Sequence, residues 1–116
     1  MRIQNFYYVA ADIGQARAFY EDALGLEVKF ADGERWIQFS AGGQNFALSS
    51  LAEAPPGVRG GTIVFEVEDL AGALARVEEA GGTILGERDM GGHGRTATFA
   101  DPAGNVAQLF ARATSG

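Results

Sequence analysis

The chain has 116 residues, enough for one domain with a core of its own. Nine basic against fifteen acidic residues give a net charge of −6, which argues against a nucleic-acid footprint and against docking on anionic lipid. Cysteine is absent, so disulfides, thiolate zinc sites and cysteine nucleophiles are excluded together, and no apolar run approaches the ~20 residues of a membrane span.

Residues 3–10 are aromatic and β-branched and predict a strand. Asp12 suits a helix N-cap. Ile13, Ala16, Tyr20, Ala23 and Leu24 follow at helical spacing, and Gly25 stands where that helix should stop. Three strand-like runs come next, Leu26 to Ala31, Arg35 to Ala41 and Gln44 to Ser50, broken by Asp32-Gly33 and Gly42-Gly43. Residues 51–61, with Pro55-Pro56 and Gly60-Gly61, read as a linker.

The pattern then restarts. Thr62 to Val67 predicts a strand, Asp69 an N-cap, and Leu70, Ala73, Leu74, Val77 and Ala80 a second amphipathic helix ended by Gly81-Gly82. Thr83 to Glu87, Arg95 to Ala100 and Val106 to Ala111 predict three more strands, the last pair turned by Asp101-Pro102-Ala103-Gly104. Asp12, Ala16, Ala23 and Gly25 recur at an offset of 57 as Asp69, Ala73, Ala80 and Gly82. The reading is therefore α+β, with two tandem βαβββ modules, about 3–50 and about 62–112. Neither copy is large enough to bury its apolar face alone, so together they should form a curved mixed sheet around a cleft, with the helices on its outer face.

Strand alternation sorts the side chains into two faces. Phe6 and Tyr8, Ile37 and Phe39, Phe46 and Leu48, Ile63, Phe65 and Val67, and Ala107 and Leu109 form an apolar face for the helices. Asn5, Tyr7, Trp36, Gln38, Thr62, Glu66, Gln108 and Phe110 fall on the opposite face, mixing aromatic and polar groups as a small-molecule cleft does. A solvated sheet face, or one buried against a second copy, fits the same pattern. Trp36, Tyr7 and Phe110 could stack on a flat ligand, and Glu66 beside them would suit a cationic one.

Two residues are candidates for proton transfer. Glu66, in a cleft, could act as an acid or base; alternatively it pairs with an arginine such as Arg95. His93, the only histidine, lies in the glycine-rich stretch Met90-Gly91-Gly92-His93-Gly94, either as an acid or base on a mobile loop or as a solvated side chain. Those glycines do not match a phosphate loop, since no Lys-Ser/Thr follows. Ser49 and Ser50 lack a His or Asp in the pattern of a hydrolase triad.

Asp12-Ile13-Gly14-Gln15-Ala16-Arg17-Ala18-Phe19-Tyr20 with Leu24-Gly25-Leu26, and Gly92-His93-Gly94-Arg95 with Phe99-Ala100-Asp101-Pro102-Ala103-Gly104-Asn105 and Leu109, carry a family resemblance. They resemble the D-x-x-x-A-x-x-F-Y…L-G and G-x-G-R…D-P-x-G-N stretches of the vicinal oxygen chelate superfamily, which holds glyoxalase I, bleomycin-resistance proteins and extradiol dioxygenases. The resemblance implies the paired βαβββ fold over nearly the whole chain. It also implies a divalent metal in the cleft of family enzymes, held from the first and last strands of each module. By motif register those positions here are Asn5, Ala47, Thr62 and Gln108, none of them His, Cys, Asp or Glu. Amide and hydroxyl oxygens are poor ligands for zinc or iron, and alanine has none to offer. The expectation is thus a binder of the bleomycin-resistance type that needs no cofactor, the alternatives being a metal-dependent lyase, isomerase or dioxygenase and a dimeric interaction module without ligand. The resemblance further implies a homodimer. No signal-like apolar region opens at Met1-Arg2-Ile3, and the cytoplasm is the expected compartment.

Overall fold

A computed structural model describes residues 3–54 and 61–113. Most of the predicted linker, including Pro55-Pro56 and Gly60, lies outside the described residues.

The first module runs β1 (Phe6–Val9), α1 (Ile13–Leu24), β2 (Glu27–Asp32), β3 (Trp36–Ala41) and β4 (Gln44–Ser49). The second runs β5 (Ile63–Glu66), α2 (Leu70–Glu79), β6 (Thr83–Asp89), a 3₁₀ turn (Gly91–His93), β7 (Arg95–Ala100) and β8 (Val106–Ala111). Each module folds into a four-stranded mixed sheet, ordered β1-β4-β3-β2 and β5-β8-β7-β6. In both, the first strand pairs parallel with the last and the others pair antiparallel. The two tandem βαβββ modules read from the sequence are the fold. No helix among the described residues is long and apolar enough to cross a membrane.

The duplication extends to local geometry. Asp12 and Asp69 cap their helices with nearly the same backbone, φ −110° and ψ 92° against φ −111° and ψ 93°. Each carboxylate accepts a hydrogen bond from the amide three residues on, Gln15 or Gly72. Both second strands carry a bulge, between Val28 and Phe30 and between Ile84 and Gly86.

The helix stops differ from the expectation of one shared offset. Gly25 takes the left-handed conformation after α1, but α2 ends two residues early at Glu79, and Gly81 (φ 97°) supplies the positive φ. Gly82 serves packing instead. A Cβ there would sit 2.7 Å from Val77 and 2.8 Å from Phe19, so a side chain would push the two helices apart.

Alternation places the apolar face under the helices, except that Phe6, at the start of the edge strand β1, is 50% exposed. Tyr8, Phe39, Leu48, Phe99 and Leu109 are all at most 2% exposed and pack with Phe19, Tyr20, Leu70 and Val77. The core is continuous between modules: Tyr20 meets Phe46 at 4.9 Å between ring centroids, and Phe46 meets Phe65 at 5.6 Å.

Candidate functional site

The sheet faces turned away from the helices carry most of the candidate residues, distributed over the two modules. On the first sheet, Tyr7 from β1 and Trp36 from β3 lie with ring centroids 5.3 Å apart. The Trp36 indole N–H donates to Gln38 Oε1 at 3.1 Å, so the indole plane and the amide are fixed relative to each other. Tyr7, Trp36 and Gln38 are each half-buried. Beneath them Ala47 is fully buried, flanked in register by Tyr7 on one side and Gln38 on the other. Asn5 precedes β1 on the same face, and Asn45, two residues before Ala47, donates to the Gln4 carbonyl and accepts from Lys29.

On the second sheet, Gln108 Nε2 donates to Thr98 Oγ1 at 3.0 Å across the β7–β8 ladder. Arg88, Thr96, Thr98 and Gln108 line a recess of about 340 Å³. Thr96 and Thr98 were not singled out in the sequence. Their signal is alternation in β7, where they oppose the buried Ala97 and Phe99. Phe110, half-buried, backs onto Gly94, whose missing side chain leaves room for the ring. Thr62 stands exposed just before β5.

Tyr7, Trp36 and Gln38 therefore form one group, and Thr98 and Gln108 another. Among the described residues, the ring contacts join Tyr7 to Trp36 but join neither to Phe110. Among the described residues, the two sheets are not hydrogen-bonded into a single ladder. Glu66 is the last residue of β5, with its side chain 56% exposed and in a 3.3 Å ion pair with Arg112 rather than Arg95. The pair is solvent-exposed on both sides, so it holds the carboxylate only weakly. His93 is exposed on the 3₁₀ turn.

The donor set at Asn5, Ala47, Thr62 and Gln108 does not fit a transition metal. Ala47 brings only a methyl group, covered by its neighbours, and the Gln108 amide is oriented by Thr98. Among the described residues no three His, Cys, Asp or Glu converge as ligands.

Two buried tyrosines, placed in the core by pattern, tie the modules together. The Tyr20 hydroxyl donates to Asp101 Oδ2 at 2.9 Å, and Asp101 also accepts from the backbone N–H groups of Ala103 and Asn105 and from Asn105 Nδ2. The Tyr8 hydroxyl donates to the Val106 carbonyl at 2.7 Å and accepts from Ile63 N–H at 3.0 Å. Burial raises both phenolic pKa values above the usual 10.0, with the Asp101 charge adding to the rise; the Ile63 hydrogen bond partly offsets it at Tyr8. The signal in the sequence was a tyrosine where a phenylalanine would fill the same apolar stripe, because a buried phenol needs a partner.

A family model described as the Glyoxalase/Bleomycin resistance protein/Dioxygenase superfamily matches residues 2–109. No curated protein matches the chain. Among solved structures, a lactoylglutathione lyase from Agrobacterium tumefaciens is 24% identical, with 95% of this chain and 92% of that one covered at a TM-score of 0.73. A glyoxalase-related enzyme from Fulvimarina pelagi is 17% identical, with 97% and 88% covered at a TM-score of 0.82. A mutant of the fosfomycin resistance protein FosX from Listeria monocytogenes, complexed with Mn(II) and a phosphonic acid, is 19% identical, with 97% and 90% covered at a TM-score of 0.77. The structural likenesses agree with the fold, and the family match spans all but the ends of the chain: it belongs to the glyoxalase/bleomycin resistance protein/dioxygenase superfamily.

Proposed function

We propose that this protein binds a flat organic molecule on the sheet faces turned away from the helices, without a divalent metal and without chemistry. The observation that carries the reading is the Tyr7–Trp36 pair fixed against the Gln38 amide, over a fully buried Ala47, a position at which the family resemblance expects a metal ligand. An aromatic wall with one oriented amide supplies stacking and a directional hydrogen bond. Gln108 and Thr98 supply a second polar edge on the other module. Asn5, Thr62 and Phe110 extend these faces, and neither Glu66 nor His93 has a catalytic role in this reading. The protein works as a homodimer, in which a second copy covers the exposed Ile3 near the free edge of β1.

The test combines two measurements on chelator-treated protein. Thermal unfolding is followed with Ni²⁺, Zn²⁺, Fe²⁺, Mn²⁺ and Mg²⁺; a bound metal at ~100 times its dissociation constant adds about 2.7 kcal/mol. Trp36, the single tryptophan, then reports by fluorescence on a panel of aromatic small molecules. The expected result is no shift with any metal, and quenching by an aromatic ligand that Gln38→Ala weakens. Stabilisation by one metal would overturn the metal-free reading and direct the assays to lyase and dioxygenase chemistry.

A further inference from the structure

The internal duplication gives the modules two corresponding seams, and among the described residues one of them is closed by polar contacts and the other is not. The ladders define the correspondence: Tyr8 faces Leu48 as Phe65 faces Leu109, and Phe6 faces Phe46 as Ile63 faces Ala107. Asn105 and Gln44 thus hold equivalent places, each two residues before Ala107 and Phe46. On the closed seam Tyr8 bridges Ile63 and Val106 through its hydroxyl, and Asn105 Nδ2 donates to the Val9 carbonyl at 2.9 Å. On the other seam Phe65 has no hydroxyl to bridge with, and Gln44 is exposed at the edge of a cavity.

That cavity measures about 440 Å³, within the ~300–1,000 Å³ of small-molecule sites. Its walls include Phe46, Ile63 and Phe65 from the helix-facing side of the sheets and Ala73 from α2, joined at the strand edges by Asn45 and Val64 of the other side, whereas Tyr7, Trp36, Gln38 and Gln108 are not among its lining residues. Two charged side chains line it. Glu66 is already paired with Arg112. Arg76, exposed on α2, belongs to neither of the two ion pairs among the described residues. Arg76 is thus the charged wall residue without an ion pair among the described residues, and it stands beside a mainly apolar surface.

We propose that this cavity is a second binding site, separate from the aromatic sheet face, for a small apolar monocarboxylate whose hydrocarbon part packs on Phe46 and Phe65 and whose carboxylate meets Arg76. The inference does not depend on what binds at Trp36. An unbranched aliphatic probe keeps the two sites distinct, since it offers no ring to stack on Tyr7 and Trp36.

The experiment is calorimetric titration of the full chain with octanoate and, as a neutral control, octanamide. Octanoate should bind, and octanamide should bind at least about tenfold more weakly, a difference of ~1.4 kcal/mol. Arg76→Gln, on an exposed helix position, should weaken octanoate by a similar factor and leave octanamide unchanged. Ala41→Phe places a ring over the cavity from the helix-facing side of β3 and should abolish both, with circular dichroism showing the fold intact. Trp36→Ala should leave octanoate binding as it was. Absence of binding to the unaltered protein, equal affinity in Arg76→Gln, or loss in Trp36→Ala would each overturn the proposal. So would a shift from dimer to monomer in Ala41→Phe with no octanoate bound by the parent, which would make the cavity the seat of a second copy.

Discussion

Tyr20→Phe tests the clamp between the modules with the smallest available change. The hydroxyl is buried, and its 2.9 Å hydrogen bond reaches across 81 residues to Asp101. A hydrogen bond to a charged group contributes roughly 1.5–3 kcal/mol. Asp101 keeps three other donors, from Ala103 and Asn105, so the substitution leaves its charge solvated by the protein, and a loss of about 2 kcal/mol is expected. At this chain length ~1 kcal/mol moves Tm by about 4 °C, so Tm should fall by about 8 °C. Asp101→Ala removes the acceptor for all four donors and should cost about 4 kcal/mol or more, because the Tyr20 hydroxyl and the turn amides lose their partner together. Urea unfolding of both variants and of the double variant completes a cycle, with a coupling energy of about 1.5 kcal/mol or more expected. Additivity within about 0.5 kcal/mol would refute the clamp, since the one hydrogen bond that the two residues share cannot be lost twice.

Two further predictions concern pH and packing. Folding raises the pKa values of Tyr8 and Tyr20, so the unfolded chain gives up these protons first. Their contribution is complete below pH ~10 and declines as pH rises above it, by up to about 1.4 kcal/mol per pH unit for each tyrosine. Urea unfolding between pH 8 and 11 should show a shallower alkaline decline in Tyr20→Phe, and identical slopes would contradict the assignment. Gly94→Ala should cost about 2–3 kcal/mol, because φ is 97° and the new Cβ would strike the Ala111 carbonyl and lie 3.0 Å from the Phe110 ring. Gly92→Ala, with nothing within 4 Å, should stay within about 0.5 kcal/mol; equal losses at the two positions would show that Gly94 is not packed as described.

What the sequence made legible were the features with a local physical cause. Asp12 and Asp69 announce helix starts because an N-cap carboxylate satisfies amides only three residues away. Alternation in β3, β4 and β8 predicted the buried face because a strand's side-chain period leaves no other choice once one face is apolar. The features that stayed hidden depend on partners distant in sequence. Asp101-Pro102-Ala103-Gly104-Asn105 reads as a turn, but nothing local says that Asp101 will be 5% exposed and bound to Tyr20, or that Asn105 will reach Val9. Gly81 and Gly82 are indistinguishable as helix stops until Phe19 is found lying against the second of them. The candidate site was legible as a set of residues on one type of face. Its division between two sheets was not, because alternation assigns a face within a strand and says nothing of how two sheets are set against each other.

The same division explains how a duplicated chain can hold one shape while its two halves diverge. Caps, bulges and core faces recur in both modules because each module must fold its own helix onto its own sheet. The contacts between modules are under no such duplicate demand. One seam with Tyr8, Tyr20, Asp101 and Asn105 already fixes the relative placement through buried hydrogen bonds. The corresponding seam is then free of that requirement, and Phe65 and Gln44 stand where a bridging hydroxyl and a short amide would otherwise be needed. A mainly apolar chamber beside an arginine that has no ion pair among the described residues is the physical result of that freedom. The sheet faces follow the same logic. Register requires only that Ala47 and Gln108 project from the last strand of each module, and their chemistry can change without disturbing the ladder. A methyl group at one and an amide at the other therefore alter what the protein can hold while leaving its fold untouched.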